Sequence, residues 1–350
     1  MRGLDPRIQA DAPNGSLDAR VKPGHDGALS AHLTLARYLL HRFGQNLILL
    51  WLVSIIAFAV LHMAPGGPLA MFALVPGLTA GDLQRIAHEM GLDRPLPIQY
   101  WEWFTRVLFG DWGRSYRDQQ PVLTVIATHL FATLELMGSS TLIAILLGTW
   151  IGVIGAIRRY SLFDYLATVG AMIALSIPTF WFGLVVIFLF SVKLAWLPAG
   201  NLYTLGNGSF LDYLHHLIAP SMVLALVTIA IWSRYMRSSM LEVINQDYIR
   251  TARAKGLPEW QVLTGHAFRN ALLPMITIAG LQLPALLSGA LVTETVFTWP
   301  GMGRLFLDSI GYRDYPMVMG VLMLSAVLVL LGNLMADLLY AASDPRIRLD

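Results

Sequence analysis

Six apolar runs along the chain are long enough to cross a bilayer, and the polar stretches between them define everything else. A bilayer core of about 30 Å takes ~20 apolar residues in helical form. Residues 43–64 carry no charge and form the first span. Residues 136–157, bounded by Glu135 and Arg158, form the second, and 165–192, between Asp164 and Lys193, the third. The fourth, 217–233, is charge-free but short; 270–293 and 315–336 complete the set. Pro178, Pro220, Pro274 and Pro284 lie in or near spans, where neighbouring helices can satisfy the carbonyls they free.

The longest polar interruption in the second half is 241–274. Its pattern predicts two short helices joined at Gly256. Leu241, Ile244, Tyr248 and Ala252 recur at three- and four-residue spacing and so share a face. Ser239 and Glu242 fit a capping box for the start. Gly256 suits the left-handed residue that ends a helix. Pro258 fits the first turn of the next one, with Glu259 near its positive end. Such a compact unit between two spans is suited to docking on a cytoplasmic partner. On the other side, 65–133 form a long loop with an amphipathic helix over 82–91. Trp101, Trp103, Phe104 and Trp112 give that loop an aromatic, interfacial character. Pro300 and Gly301 break the fifth span at the outer surface, and Leu305, Phe306 and Ile310 give a short helix an apolar face.

Composition agrees with the span pattern: 56% of residues are hydrophobic and 13% charged, against about 25% charged in soluble domains. One aqueous core cannot hide that much apolar surface. The net charge of +2 matters less than its placement. Arg37 and Arg42 precede the first span, Arg158 and Arg159 follow the second, and Arg346 and Arg348 follow the sixth. Six more, Arg234, Arg237, Arg250, Arg253, Lys255 and Arg269, lie between the fourth and fifth. The loop between the third and fourth spans carries only Lys193, and that between the fifth and sixth carries Arg304 and Arg313, offset by Asp308 and Asp314. The positive-inside rule places both termini and the 241–274 loop in the cytoplasm. There is no cysteine, which excludes disulfides and thiolate chemistry. Dispersed basic residues argue against nucleic-acid binding. No P-loop and no zinc-protease helix motif occurs, so nothing supports an enzyme or a cofactor in this chain. Residues 1–36, rich in Gly, Pro, Asp and Arg without apolar period, are expected to be disordered.

Tyr248-Ile-Arg-Thr-Ala-Arg-Ala-Lys-Gly256, followed by Phe268-Arg-Asn-Ala-Leu-Leu-Pro274, resembles the cytoplasmic "EAA" loop of ABC-importer permeases, in the form found in the dipeptide, oligopeptide and nickel branch. Arg250, Thr251 and Ala252 stand where the general loop has Glu-Ala-Ala, as is usual in that branch. Gly91-Leu-Asp-Arg-Pro-Leu, Gly110-Asp111, Gly113 and Ser115 are similar to the same family, as are Trp299-Pro300-Gly301, Gly303 and Arg313-Asp314-Tyr315. The resemblance covers 37–350. It implies a type I ABC-importer permease fold, all-α with six transmembrane helices, in the bacterial inner membrane. The transport domain is then 133–340, with a cap over 65–132 and a cytoplasmic tail over 341–350. It implies that Tyr248, Arg250, Thr251, Ala252, Arg253, Ala254, Lys255, Gly256 and Leu257 couple to two ATPase subunits. Trp299, Pro300, Gly301, Gly303, Arg313 and Asp314 would face a periplasmic solute-binding protein. A second permease subunit and membrane lipid complete the partners, and a di- or oligopeptide is the implied solute.

Two other readings remain open at this point. A proton-coupled carrier would show repeated halves and midplane ionisable residues. A non-transporting scaffold or sensor could use the basic loop to bind anionic lipid. Glu135, Glu294 and Asp337 lie at span ends, where caps and snorkelling are usual, with Glu294 nearest a pathway.

Overall fold

The computed structural model describes residues 25–63, 67–69, 72, 77–288 and 290–343. Helix α1, His25–His62, starts well before the first apolar run. Residues 25–36, expected to be disordered, are therefore helical, whereas 1–24 lie outside the described residues. The last proline of the N-terminal stretch is Pro23, and the Ala- and Leu-containing stretch beyond it favours helix. Helix α2, Ala80–Glu89, matches the amphipathic prediction and opens with a capping box between Thr79 and Asp82. Helix α3, Leu96–Leu108, follows Pro95. Its Tyr100 hydroxyl lies 2.8 Å from Ser54 Oγ on α1, and the Tyr100 ring meets Phe58 edge-on. The loop between α1 and α4 is thereby fastened to α1.

Helix α4, Val122–Ile157, begins fourteen residues before the predicted second span. The early part of it, through Val122 and Ile126, is covered by other parts of the chain. The third span is not one helix. Helix α5, Leu162–Ser176, and helix α6, Thr179–Val186, continued by a π-helical segment Ile187–Lys193, meet at a 105° bend. Pro178 is the cause: a residue before proline is driven out of the helical region, and Ile177 is extended at φ −85°, ψ 126°.

Helix α7, Phe210–Ile244, carries Pro220 and runs past the expected end of the fourth span. No helix starts at Ser239. Its hydroxyl is buried and donates to the Ala271 carbonyl at 2.9 Å, tying α7 to the segment beyond the loop. Helix α8, Asp247–Ala254, follows a break at Asn245 and Gln246. A short turn α9, Glu259–Gln261, and a π-helical segment, Val262–Phe268, lead into α10, Arg269–Ser288. The predicted fifth span thus stops at Ser288, and α11, Leu291–Val296, is separate. Helices α12, Met302–Gly311, and α13, Tyr315–Ser343, complete the described chain; residues 344–350 of the predicted tail lie outside it.

Among the described residues, four helices are long and apolar enough to cross a membrane, or five if the bent pair α5–α6 is one span. The protein is therefore an all-helical multi-pass membrane protein. Its most extensive contact is α4 against α7, and it depends on small residues, as membrane helix pairs do. A β-carbon on Gly152 would sit 2.6 Å from the Ser233 carbonyl oxygen and 2.7 Å from Met236 Cβ. Trp232 Nε1 donates to Thr149 Oγ1 at 2.8 Å across the same contact. Gly152→Val is expected to destabilise by about 1–3 kcal/mol or more through overpacking. Gly138→Ala, on the same helix with nothing within 4 Å, should stay near wild type. Thermal unfolding of the two detergent-solubilised variants checks the contrast. Two ion pairs brace the bundle. Asp164 accepts from Arg237 Nε and Nη2 at 2.6 and 2.8 Å, and Arg42 reaches Asp337 at 2.9 Å.

Candidate functional site

The unit over 241–274 is built on two anchors. Ile249 is fully buried and Ala252 nearly so. At i,i+3 spacing they lie on one side of α8, in a core with Met236, Met240, Val262, Ala267, Ala271 and Met275. The opposite side presents Tyr248, Arg250, Thr251 and Ala254, continued by Lys255 and Leu257, all exposed. The predicted stripe of Ile244, Tyr248 and Ala252 does not exist as one face. Ile244 ends α7, Tyr248 points outward and Ala252 points inward, because the break at Asn245 resets the helical phase. Ala252 is thus a core residue rather than a contact residue.

Gly256 takes φ +78°, the left-handed conformation expected of it. Across that turn Arg253 Nη2 and Nε reach the two Glu259 carboxylate oxygens at 2.7 and 3.1 Å. The guanidinium holds the Glu259 carboxyl below its usual range. A depressed carboxyl contributes above its unfolded value and is lost only as pH falls through the lowered one, so the pair is intact at neutral pH. Trp260, 65% exposed, extends the outward surface; the sequence reading missed it. An indole two residues after Pro258 in a polar loop was the available signal.

The second predicted constellation is buried, not presented. Trp299, Gly301, Gly303 and Asp314 have little or no exposure, and Pro300 and Arg313 are half-buried. They cannot form a receptor-facing surface as a group. They lock α4, α11 and α12 together instead. Trp299 Nε1 donates to the Ala132 carbonyl at 2.8 Å. The fully buried Glu294 carboxylate accepts from Thr133 Oγ1 at 2.8 Å, Gly303 N at 2.7 Å, Arg304 N at 3.1 Å and Ala290 N at 3.3 Å. It satisfies the second and third free N–H groups of α12, which an acid at a helix N-terminus is placed to do, while the first, Met302 N, donates to Thr133 Oγ1 at 2.8 Å. Asp314 does the same for α13 through Met317 N, and joins the loop before α4 through Ser115 Oγ and Tyr116 N. Burial and the Asp314 carboxylate push the Tyr116 phenol up to about 12. What this region does expose is Leu307, Asp308, Ile310 and Tyr312.

Residues 144–349 match the family described as the binding-protein-dependent transport system inner membrane component, and residues 35–137 match the N-terminal region of such components. The oligopeptide transport system permease protein AppB of Bacillus subtilis is 45% identical over 89% of this chain and 99% of its own length. The dipeptide transport system permease protein DppB of Escherichia coli K12 is 38% identical over 90% and 99%. The glutathione transport system permease protein GsiC of Salmonella paratyphi A is likewise 38% identical over 90% and 99%. In three dimensions the chain is similar to one from an inward-facing structure of the MetNI methionine ABC transporter, with a TM-score of 0.51, 19% identity, and coverage of 64% of this chain and 98% of that one. That likeness concerns the fold.

Proposed function

The chain belongs to the binding-protein-dependent transport system inner membrane component family, and from that premise we propose that it is one of two permease subunits in an ATP-driven importer of short peptides. The names of its relatives support the peptide class. The observation that carries the mechanism is α8: a short helix pinned from inside by Ile249 and Ala252, with Tyr248, Arg250, Thr251, Ala254, Lys255 and Leu257 turned outward. A rigid, externally polar helix that shares a core with α7 and α10 can transmit displacement to both. An ATPase subunit gripping it would move those spans together. ATP is hydrolysed in that separate subunit.

With α10 counted as a span, six helices cross the inner membrane and both termini are cytoplasmic, following the arginine distribution. The outer surface of α1, where Phe43, Ile48, Ile56 and Val60 are exposed, meets lipid and the second permease. A periplasmic binding protein delivers the solute onto Leu307, Asp308, Ile310 and Tyr312, while the buried Trp299–Gly303 turn keeps that surface rigid.

The cysteine-free chain permits a direct topology test. In intact spheroplasts Asp308→Cys should react with an impermeant thiol reagent, and Lys255→Cys only after permeabilisation. The reverse pattern would refute the orientation. Co-expression with ATPases and a binding protein should then give vanadate-sensitive peptide uptake; uptake collapsed by a proton uncoupler with ATP maintained would favour a secondary carrier.

A further inference from the structure

The outward-facing residues of α4 include a stripe of Phe131, Glu135, Gly138, Leu142 and Leu146, at helical spacing. Glu135 is the one charge on it, between Phe131 and Leu142, which are 67% and 58% exposed. Its carboxylate accepts the Tyr213 hydroxyl at 2.7 Å. Among the described residues no cation forms an ion pair with it. A carboxylate has about four lone-pair positions, so most of its capacity is open. The Tyr213 ring lies 5.6 Å from that of Tyr203, itself 45% exposed. An accessible carboxylate beside aromatic faces suits an ammonium group through charge, hydrogen bonding and cation–π attraction together.

The site also leads somewhere. Tyr213, Leu217, Ser221 and Leu224 share one face of α7. Ser139, one turn along α4 from Glu135, pairs with Ser221 at 2.7 Å. Leu224 then borders an open depression of about 350 Å³, with Thr179, Ala290 and Thr293 on its other sides. The depression sits where two helices are interrupted, at the 105° bend between α5 and α6 and where α10 gives way to α11. Interrupted backbone at membrane depth is tolerated against protein or a water-filled cavity, not against lipid.

We propose that Glu135, backed by Tyr213 and Tyr203, receives the protonated amino terminus of the peptide at the outer mouth of a solute path that follows this face of α7 into the depression. The proposal rests on the peptide-importer reading. Its test uses the complete importer in proteoliposomes with ATP and an equimolar pool of di- to pentapeptides, uptake being read by mass spectrometry. Glu135→Gln keeps an acceptor for the Tyr213 hydroxyl but removes the charge. It should lower initial uptake about tenfold at pH 7 with subunit assembly unchanged, roughly the loss of one decade of affinity. The wild-type-to-variant ratio should shrink as pH rises above ~8, where free α-amino groups lose their charge. A purely structural role for Glu135 would not produce that convergence. Tyr213→Phe, which leaves the carboxylate, should cost less. Equal uptake by wild type and Glu135→Gln, a pH-independent ratio, or a variant that fails to assemble with the binding protein or second permease would each overturn the proposal. A wild-type importer that takes up no peptide in the pool would instead overturn the peptide reading on which it rests.

Discussion

Ile249→Asp is expected to abolish transport by releasing α8 from the protein. Ile249 is fully buried, and Ala252 beside it is 7% exposed. Losing the burial of an isoleucine forfeits about 1.5–3 kcal/mol. An uncompensated buried charge adds about 3–5 kcal/mol, by comparison with broken buried ion pairs. An eight-residue helix is marginal without tertiary packing, so α8 has little else to hold it. The loss is a large part of the ~5–15 kcal/mol by which folded proteins exceed unfolded ones. Ala252→Asp should act in the same direction, as a core defect rather than a blocked contact. Tyr248→Ala, on the exposed side, should leave the melting temperature alone and weaken only ATPase retention. Gly256→Val lies between, since a β-branched residue at positive φ costs at least about 1–2 kcal/mol. Thermal unfolding and ATPase co-purification on the same preparations separate these outcomes. If Ile249→Asp matched wild type in both, α8 would not be anchored as described.

Glu294→Leu is expected to unfold the region where α4, α11 and α12 meet. The substitution leaves Thr133 Oγ1 and the N–H groups of Ala290, Gly303 and Arg304 without their acceptor. Each buried group left unpaired costs about 1–3 kcal/mol, so the sum reaches several kcal/mol even if water repairs some. Gly301→Ala should reproduce part of the effect, because its β-carbon would lie 2.3 Å from Glu294 Cδ. The expected observation is a large fall in melting temperature and in folded protein per cell. Were Glu294 instead a receptor contact, its variant would stay folded and lose only binding-protein stimulation.

Periodicity made the spans legible wherever a run was uniformly apolar, as in α1 and α13. It could not show that α4 and α7 outlast their apolar runs, because the extra turns, such as 122–135, carry ordinary mixed sequence in which Val122, Ile126 and Ala132 are buried while Phe131 and Glu135 stay exposed. Pro178 was visible, but its 105° consequence was not: proline in a span can be absorbed or can break it, and the choice lies in packing. Helix α8 is legible from Tyr248 to Gly256, yet the pattern exchanges its buried and exposed sides. The helical phase was counted from Leu241 across the break at Asn245, so Ile249 was overlooked and Ala252 was placed on the wrong face. The Trp299–Gly303 block was recognised by its residues, whereas its role as a buried lock depends on Glu294 and Thr133. Those two partners are 161 residues apart, beyond any local signal.

The central claim is that the outward face of α8 meets the ATPase. Photo-cross-linking from position 254, in place of the exposed Ala254, tests it most directly in the assembled importer. The account predicts a cross-link to the ATPase subunit, lost when Gly256→Val is added, while position 307 in place of Leu307 cross-links only the binding protein. Absence of any ATPase adduct from position 254 in an importer that still hydrolyses ATP and takes up peptide would contradict it.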